Sequence, residues 1–416
     1  MKKATIKDIF ELKGKRVFLR ADLNVPLTEG GEIADATRIT ESLYTIRFCL
    51  DRGARVILAS HLGRPDGQPN PKFSLLPVYN YLKKTLKDHK IFFAYDCVGA
   101  EVKKQAAELN DGELLLLENL RFHKEEEAND EKFAKELASL ADVFVNDAFG
   151  AAHRAHASTA TIAKFLPAVS GFLMEKELKI LGEAITTPKK PLTLILGGKK
   201  VADKLGVIEN LLNLADNILI GGGMAFTFIK AQGGEVGGSI VDESKLEYCR
   251  DVLLKAKTAG TKISLSVDTV VADEIADDAK TQILPIDKIP SDLMGLDIGP
   301  KTIENFKKII KGSGTIIMNG PVGVFDSAPF ENGTREIVTA VADSGAISIA
   351  CGGDSAFAVV KFGAGEKFTH ISTGGGASLE FIEGKKLPGV ESLMNEKGAI
   401  TIGKTPLMNE KGAIKL

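Results

Sequence analysis

The stretch LTLILGGKKVADKL, residues 192–205, lies near the middle of the 416-residue chain, and the interpretation of the other segments starts from it. Its apolar run Leu192–Leu196 predicts a buried strand of a parallel sheet. Two glycines follow, and then the lysines Lys199, Lys200 and Lys204. Glycines at a strand end let backbone N–H groups approach an anion, and lysines add mobile positive charge. Taken alone, the stretch is equally compatible with a tight turn that carries a solvated basic face.

Length and composition favour a globular protein of two domains. A chain of 416 residues exceeds what one hydrophobic core usually supports, and its 44% hydrophobic and 26% charged residues are ordinary for such proteins. The formal net charge of -2 gives no indication of a nucleic-acid or membrane-surface partner. Neither a signal peptide nor an apolar run of membrane-spanning length is found, so we expect a cytoplasmic protein.

The cysteines are widely separated and show no CxxC spacing. We therefore expect small buried thiols and no metal-ligand set at Cys49, Cys97, Cys249 and Cys351.

The first half of the chain alternates short apolar strands with amphipathic helices, which is the pattern of a parallel α/β domain. We predict strands at residues 16–20, 55–60, 91–95, 113–117 and 143–145. The predicted helices cover residues 39–52, 75–86, 100–109 and 131–140. Nine arginines precede residue 155 and only two follow it, so this half is rich in planar donors that suit carboxylate and phosphate.

Polar and cationic side chains follow four of these strands. They are Asp22, Asn24, His61, Arg64, Arg121 and Arg154. Because the carboxyl ends of parallel strands lie along one edge of a sheet, these loops come to a single edge where ligands bind. Any one of these residues is more often solvated than functional, but their joint placement predicts an anion site.

The middle of the chain indicates a boundary. Residues 172–185 predict a helix, and the sequence PKKP then stops it before the central strand. We assign residues 1–171 to an N-terminal domain, 172–190 to an interdomain helix and linker, 191–385 to a C-terminal domain, and 386–416 to a C-terminal segment. That segment contains LMNEKGAI twice, at residues 393–400 and 407–414, which is too few copies for a solenoid.

In the second half the predicted strands run into glycine. The exits read LILGGKK, NILIGGGMAF, TIIMNGPVGVF, ISIACGGDS and THISTGGGAS, while residues 262–271 are predicted as one strand without such an exit. Glycine loops let a flat or elongated ligand such as a nucleotide lie against the backbone. The alternative is that glycine only eases each strand-to-helix turn.

Several common fingerprints are absent from the sequence. There is no GxxxxGK[ST], no GxGxxG with an acidic partner and no GxSxG. His153 and His156 lack a carboxylate or cysteine at ligand spacing, so a zinc site there is disfavoured. A cationic half and a glycine-rich half favour phosphoryl transfer, which needs positioning and charge neutralisation. Asp354 is then a candidate Mg²⁺ ligand, although alone it would more often be a helix cap.

Nine motifs in order carry a family resemblance. They are RADLNVPL, SHLGRP, LLENLRFH, NDAFGAAHRAHAS, LILGG with KVADK, GGGMAFTF, NGPVGVF, CGGDS and STGGGAS. From about residue 5 to residue 392 the chain resembles the phosphoglycerate kinase family. The resemblance implies an α/β fold of two doubly wound parallel-sheet domains joined by a hinge helix, with the C-terminal segment returning to the N-terminal domain.

The resemblance also implies an activity. It is reversible, Mg²⁺-dependent, in-line phosphoryl transfer from 1,3-bisphosphoglycerate to ADP, giving ATP and 3-phosphoglycerate in glycolysis and gluconeogenesis. Transfer would cross a cleft between the domains that closes by hinge bending. A monomer with small-molecule substrates is expected, without a nucleic-acid or membrane partner.

The resemblance assigns roles residue by residue. Phosphoglycerate would be held by Asp22, Asn24, Arg38, His61, Arg64, Arg121 and Arg154. The transferring group would be contacted by Arg38, Lys200, Thr373, Gly375 and Gly376. The nucleotide would lie near Lys204, Gly221, Gly222, Gly295, Leu296, Pro321, Asp326, Gly352, Gly353, Asp354 and Ser355, with Asp354 also binding Mg²⁺.

Two positions depart from the family pattern. Lys199 stands where a small residue is usual, and Asp326 stands where glutamate is more common, so its shorter side chain puts contact with the ribose in doubt. The alternative functions are another small-molecule kinase of similar build and a catalytically inactive nucleotide-binding regulatory protein.

Overall fold

A computed structural model describes residues 2–9 and 11–396 of the chain. The second LMNEKGAI copy lies outside the described residues. The chain divides into two compact units, here called unit 1 (Met1–Lys179 with Lys386–Leu416) and unit 2 (Ile180–Lys385). The predicted domain boundaries, which place residues 172–190 in a separate linker, stay a prediction.

Unit 1 is built on a six-stranded parallel sheet with the order β3-β4-β2-β1-β5-β6. Its strands are β1 (Arg16–Arg20), β2 (Arg55–Ala59), β3 (Ile91–Phe93), β4 (Leu114–Leu116), β5 (Val143–Asn146) and β6 (Ala168–Ser170). Since β1 pairs with both β2 and β5, the order reverses beside the strand that carries the RADLNVPL motif. Ligands bind at such switch points.

Helices connect these strands, as the helical spacing of apolar residues predicts. They are α1 (Thr37–Asp51), α2 (Leu76–Thr85), α3 (Ala100–Glu108), α4 (Lys124–Glu127), α5 (Glu131–Ala138) and α6 (Phe172–Thr186). Helix α1 buries Ile39, Ile46 and Leu50 on one face, so its side chains fill the core beside β1 and β2. The chain leaves unit 1 within α6.

Unit 2 contains a second six-stranded parallel sheet, with the order β10-β8-β7-β15-β16-β17. Its strands are β7 (Leu192–Leu196), β8 (Asn217–Ile220), β10 (Lys262–Leu265), β15 (Thr315–Asn319), β16 (Ile347–Cys351) and β17 (His370–Ile371). All five residues of β7 are buried, and β7 lies between β8 and β15. The two parallel sheets confirm the predicted fold class.

Two smaller sheets complete unit 2. An antiparallel sheet has the order β12-β11-β14, and β9 pairs with β13. Their strands are β9 (Glu235–Val236), β11 (Asp268–Ala272), β12 (Gln282–Pro285), β13 (Lys288–Ile289) and β14 (Met294–Ile298). The helices are α7 (Leu205–Leu211), α8 (Gly223–Ala231), α9 (Leu246–Ala259), α10 (Pro300–Lys311), α11 (Asn332–Ala342), α12 (Gly353–Lys361) and α13 (Gly376–Ile382).

The prediction of a single strand over residues 262–271 is wrong. The chain instead forms β10 and β11, which belong to different sheets. Between them the Ser266 hydroxyl donates to the Ile220 carbonyl, and the Val267 N–H donates to the Thr302 hydroxyl. These hydrogen bonds belong to neither sheet, so the two residues separate β10 from β11. An apolar run shows no break at this point, because the partners that separate the strands are distant in sequence.

The C-terminal segment adds to unit 1. Helix α14 (Pro388–Glu391) is held by the N–H of Gly389, which donates to the Ala152 carbonyl at 2.9 Å. Beyond it, the Ala4 N–H donates to the Met394 carbonyl at 2.8 Å, and the Met394 N–H donates to the Ala168 carbonyl at 3.0 Å. Residues from both ends of the described chain therefore complete the same unit. The four cysteines are buried thiols, as predicted.

Candidate functional site

The residues of the anion site predicted in unit 1 follow the carboxyl ends of neighbouring strands, except for Arg38. Asp22 and Asn24 come after β1, His61 and Arg64 after β2, Arg121 after β4, and Arg154 after β5, while Arg38 is the second residue of α1. Parallel pairing of these strands brings the loops to one edge of the sheet.

An ion pair joins α1 to the loop after β1. Nη1 of Arg38 lies 3.1 Å from each carboxylate oxygen of Asp22 and 3.2 Å from the carbonyl oxygen of Asn24. The Asp22 side chain is buried, whereas that of Arg38 is about one third exposed. The buried acceptor therefore orients Arg38 and leaves part of its guanidinium accessible to an anion.

Hydrogen bonds tie the loop after β2 to its neighbours on both sides. The Gly63 N–H donates to Oδ1 of Asn24 at 2.9 Å, and the Gly63 carbonyl accepts from Nη1 of Arg121 at 2.9 Å. Asn119 holds the Arg121 backbone by accepting its N–H at 3.0 Å. Three strand exits are thus linked into one rigid edge.

The charges of this edge act on one another. Burial is the largest cause that lowers the pKa of Arg121, and the positive charges of Arg154 and Arg64 lower it further, against the opposite effect of Glu127. Nε of Arg121 lies 3.2 Å from Oε1 of Glu127. Arg64 and Arg154 are exposed, so they are free to meet a ligand from the solvent side.

A buried ionic network lies beneath the edge, and sequence reasoning missed it. Arg20 at the end of β1 is fully buried, and its Nε donates to the Ser158 hydroxyl at 2.9 Å. Ser158 in turn donates its hydroxyl (2.6 Å) and its N–H (2.9 Å) to the buried carboxylate of Glu126. Burial raises the pKa of Glu126, and the Arg20 charge opposes that shift. The sequence offered one indication of this network, because Arg20 directly follows the apolar run VFL at the end of a predicted buried strand. A charged group buried there needs a buried partner.

Two histidines adjoin this network. Nη2 of Arg20 lies 3.2 Å from Nδ1 of His61, and burial together with Arg20 holds the pKa of His61 well below its usual value. Burial, reinforced by Arg20 and Arg121, lowers the pKa of His156 to about 3. Nδ1 of His156 is 4.0 Å from Oε1 of Glu126 and makes no hydrogen bond to the described residues. Both rings are therefore neutral at physiological pH.

Unit 2 contains a cavity of about 1090 Å³ around the exit of β7. The predicted residues that line it are Lys200, Lys204, Gly222, Gly295, Leu296, Pro321, Asp326 and Asp354. The predicted residues that lie outside this lining are Gly221, Gly352, Gly353, Ser355, Thr373, Gly375 and Gly376. The exits of β7, β8 and β15 thus converge on the cavity, and the predicted residues after β17 do not form its wall.

Close packing leaves no room for a side chain at several glycines in or beside this cavity. A Cβ at Gly197 would lie 2.0 Å from the Pro321 carbonyl oxygen, and one at Gly221 would lie 2.9 Å from the Val322 side chain. A Cβ at Gly295 would lie 2.1 Å from the Phe226 ring. These glycines therefore let neighbouring elements pack directly on each other, and the alternative that glycine only eases the strand-to-helix turns stays a prediction. In contrast, Cβ atoms at Gly198 and Gly353 would meet nothing within 4 Å.

Apolar side chains form a wall of the cavity that the sequence did not indicate. They are Phe226, Ile240, Ile275, Ile286, Met294, Val324, Phe325 and Phe357. These residues come from separate helices, loops and the antiparallel sheet, so no local pattern unites them. Phe357 follows the CGGDS motif by two residues and is 57% exposed, which makes it a surface for a flat ring.

The charged groups of the cavity suit a polyphosphate. Lys199 and Lys200 are exposed, and Lys204 is partly buried. Burial lowers the pKa of Lys204, while the carboxylates of Asp203 and Asp354 act in the opposite direction and so lie near it. Asp354 is exposed in the first turn of α12 and offers a hard oxygen ligand. Mg²⁺ commonly binds to one or two carboxylates together with substrate phosphates, so this residue fits such an ion.

Comparison with known proteins assigns the chain to a family. A family model described as phosphoglycerate kinase matches residues 6–385. The chain is 52% identical to the phosphoglycerate kinase of Thermosipho africanus, over 95% of this chain and 99% of the relative. It is 53% identical to that of Dictyoglomus turgidum, over 95% of this chain and 100% of the relative.

Solved structures agree with these sequence matches. Phosphoglycerate kinase from Coxiella burnetii superposes with a TM-score of 0.85 at 40% identity, over 94% of this chain and 98% of that one. The enzyme from Pyrococcus horikoshii gives a TM-score of 0.78 at 33% identity, over 95% and 100%. Within the described residues, no helix is long and apolar enough to cross a membrane.

Proposed function

Since the chain belongs to the phosphoglycerate kinase family and is a kinase, we propose that it transfers a phosphoryl group reversibly between 1,3-bisphosphoglycerate and ADP. The products in that direction are 3-phosphoglycerate and ATP. The observation that carries the proposal is the edge of unit 1, where the buried carboxylate of Asp22 holds Arg38 and the Gly63 carbonyl on the adjoining strand exit holds Arg121.

Unit 1 binds the phosphoglycerate in this proposal. Arg64 and Arg154 are exposed, Arg38 is part-exposed, and Arg121 is more buried, so cations are available at different depths along one edge. Guanidinium groups bind carboxylate and phosphate oxygens in pairs, which suits a ligand with an anion at each end. Asp22 and Asn24 act on the ligand mainly by fixing Arg38 and Gly63.

Unit 2 binds the nucleotide. The apolar wall around Phe357 and Phe226 suits the base, and Lys200 and Lys204 suit the phosphates. Asp354 would hold Mg²⁺, which neutralises phosphate charge in the transition state. The backbone at Gly375, which has a φ of 53° and open space around it, precedes α13 and would contact the moving group together with Thr373 and Gly376.

The chemistry requires no general base. In the ATP-consuming direction a carboxylate oxygen of 3-phosphoglycerate attacks the γ-phosphorus, and the bond to the bridging oxygen breaks as ADP leaves. Lys200 and Arg38 stabilise the charge on the transferring oxygens, an effect that is largest when water is excluded. Direct in-line transfer therefore needs hinge closure, which we include in the proposal.

The test is a coupled assay of ATP consumption with 3-phosphoglycerate and Mg²⁺. We expect turnover that stops when chelator removes Mg²⁺ and that fails with glycerate, which lacks the phosphate that the arginines bind. If ADP binds but 3-phosphoglycerate causes no turnover, the protein is the inactive nucleotide-binding form of this fold, and the proposed reaction is wrong.

A further inference from the structure

The hydrogen bond between Arg20 and His61 determines where the proton of His61 lies. Nη2 of Arg20 is 3.2 Å from Nδ1 of His61. A guanidinium has only donors, so Nδ1 must accept this bond and cannot itself carry a proton. The ring is then neutral, and its single proton is on Nε2.

The arginine has no freedom to change this arrangement. Its side chain is fully buried, its Nε donates to Ser158, and its Nη1 donates to the carbonyl of Ala21. The buried Glu126, which accepts from Ser158, balances its charge. These contacts therefore fix the orientation of the Arg20 guanidinium, including the N–H group that faces His61.

Positive groups surround His61 and oppose a second proton. They are Arg20 on β1, Arg38 on α1 and Arg121 after β4, while the neighbouring His156 ring is itself neutral. Two buried carboxylates of unit 1 are already engaged, Asp22 with Arg38 and Glu126 with Ser158. Burial adds to the effect, since His61 is only 6% exposed.

The other ring nitrogen remains available. Nε2 of His61 hydrogen-bonds to none of the residues 2–9 and 11–396, and it is not among the buried polar atoms that lack a partner. It is therefore accessible to a ligand at the edge that carries Arg38 and Arg121.

We propose that Arg20 is a positioning residue that locks His61 in the neutral Nε2–H form, so that the ring presents one N–H donor to the bound anion. The identity of the anion as phosphoglycerate rests on the proposed function. A neutral donor recognises a phosphate, carboxylate or hydroxyl oxygen without adding a charge that changes with pH. The affinity of the edge then depends on arginines alone for its charge.

The direct test is the tautomer of His61 in the free protein. Long-range ¹H–¹⁵N spectra of protein labelled at histidine distinguish a ring protonated at Nε2 from one protonated at Nδ1, and the His61 signals are those lost in His61→Gln. We expect Nε2–H from pH 5 to pH 8. An Nδ1–H tautomer, or titration near pH 6.5, would overturn the proposal.

Three variant proteins test the role of Arg20 itself. Arg20→Met with Glu126→Gln removes both buried charges together, which is far less disruptive than removing one. In this double variant we expect His61 to show the Nδ1–H tautomer or a mixture, and to take up a proton at a higher pH than in wild type. Glu126→Gln alone keeps the Arg20–His61 bond and should keep the wild-type tautomer. Arg20→Lys retains a charged donor and should restore Nε2–H.

Binding separates this proposal from the proposed function. The ratio of the variant and wild-type Kd for 3-phosphoglycerate cancels the ionisation of the ligand. We expect this ratio to fall several-fold between pH 7.5 and pH 5.5 in the double variant, because its His61 gains charge, and to stay constant in Glu126→Gln. A constant ratio in both would mean that Arg20 has only a structural role. If wild type shows the locked tautomer but no phosphoglycerate binding, the proposed function fails and the tautomer assignment stands.

Discussion

The two six-stranded parallel sheets share an architecture, but the strand exits that form their candidate ligand-binding edges are linked in different ways. In unit 1 the exits of β1, β2 and β4 are linked through side chains, with Asn24 and Arg121 both bound to the backbone of Gly63. In unit 2 the exits of β7, β8 and β15 are linked backbone to backbone. There the Gly198 N–H donates to the Pro321 carbonyl at 2.9 Å, and the Gly222 N–H donates to the Val322 carbonyl at 3.0 Å.

This difference shows what each kind of ligand edge requires from the rest of the fold. An edge of fixed cations needs buried counter-charges such as Asp22 and Glu126, because an unpaired buried charge is costly. An edge made of backbone needs glycine at the points of contact and apolar side chains around them. The two units should therefore fail differently when they are perturbed.

The largest expected effect comes from removing a cation at the edge of unit 1. Arg38→Ala should lower kcat about 10³-fold, because it deletes charge stabilisation that is needed mainly in the transition state. The Kd for ADP should stay unchanged, since the proposed nucleotide site lies in unit 2. Steady-state kinetics and calorimetric ADP binding measure the two quantities.

The matched control for that variant is Arg52→Ala, which removes an arginine at the other end of the same helix, where it stacks on Phe48. It should retain wild-type kcat. Loss of ADP binding in Arg38→Ala would contradict the division of roles between the units. A thermal scan checks that Asp22, left without its ion pair, has not unfolded unit 1.

The next effect comes from filling a backbone contact in unit 2. In Gly197→Ala the new Cβ would overlap the Pro321 carbonyl, so the loop after β15 must move. We expect a loss of stability of about 2 kcal/mol, within the range for overpacking, together with weaker ADP binding. Phosphoglycerate binding to unit 1 should be unaffected, as isothermal titration would show.

Gly365→Ala is the control for this substitution, because its nearest neighbour would be 3.9 Å away. It should preserve stability and ADP affinity. Equal losses in both glycine variants would mean that close packing at the strand exits is not what distinguishes unit 2.

The last effect concerns pH and appears only under acidic conditions. The folded-state pKa of His156 is about 3, against an ordinary value of 6.5, because the ring is buried among cations. Between pH 6.5 and about pH 3 the unfolded chain therefore binds a proton on His156 that the folded chain does not bind. The free energy of unfolding falls as the pH decreases through this range, by up to about 1.4 kcal/mol per pH unit for this group. His156→Gln should flatten the decline in urea midpoint between pH 6.5 and pH 5.

His89→Gln serves as the comparison, since His89 pairs with the carboxylate of Asp51 at 3.1 Å. It should not flatten the profile. An unchanged slope in His156→Gln would show that the buried histidine does not contribute to the acid sensitivity of unit 1.

Much of this fold could be predicted from sequence because the spacing of apolar residues along the chain matches the residues that the fold buries. The strands β1 and β7 are apolar runs, and α1 has apolar residues at helical spacing. Parallel topology then places the strand exits on one edge, which is why the positions of His61 after β2 and Arg121 after β4 could be predicted. Arg38 lies on α1, and only the family resemblance indicated it.

The remainder depends on contacts that no local pattern records. Glu126 lies in the run KEEE, which has the composition of a solvated helix, yet its side chain is fully buried beside Ser158. The apolar wall around Phe226 and Phe357 combines residues from elements that are far apart in sequence. The break between β10 and β11 depends on the distant partners Ile220 and Thr302.

The pairing of Ala4 with Met394 has a consequence for the order of synthesis. During translation Ala4 emerges from the ribosome before unit 2, but its hydrogen-bond partner Met394 emerges only after the whole of unit 2. The segment around Ala4 therefore cannot complete its hydrogen bonds until Met394 has been translated. We therefore expect unit 2, which is continuous in sequence, to reach its final structure on the ribosome before the unit that was translated first.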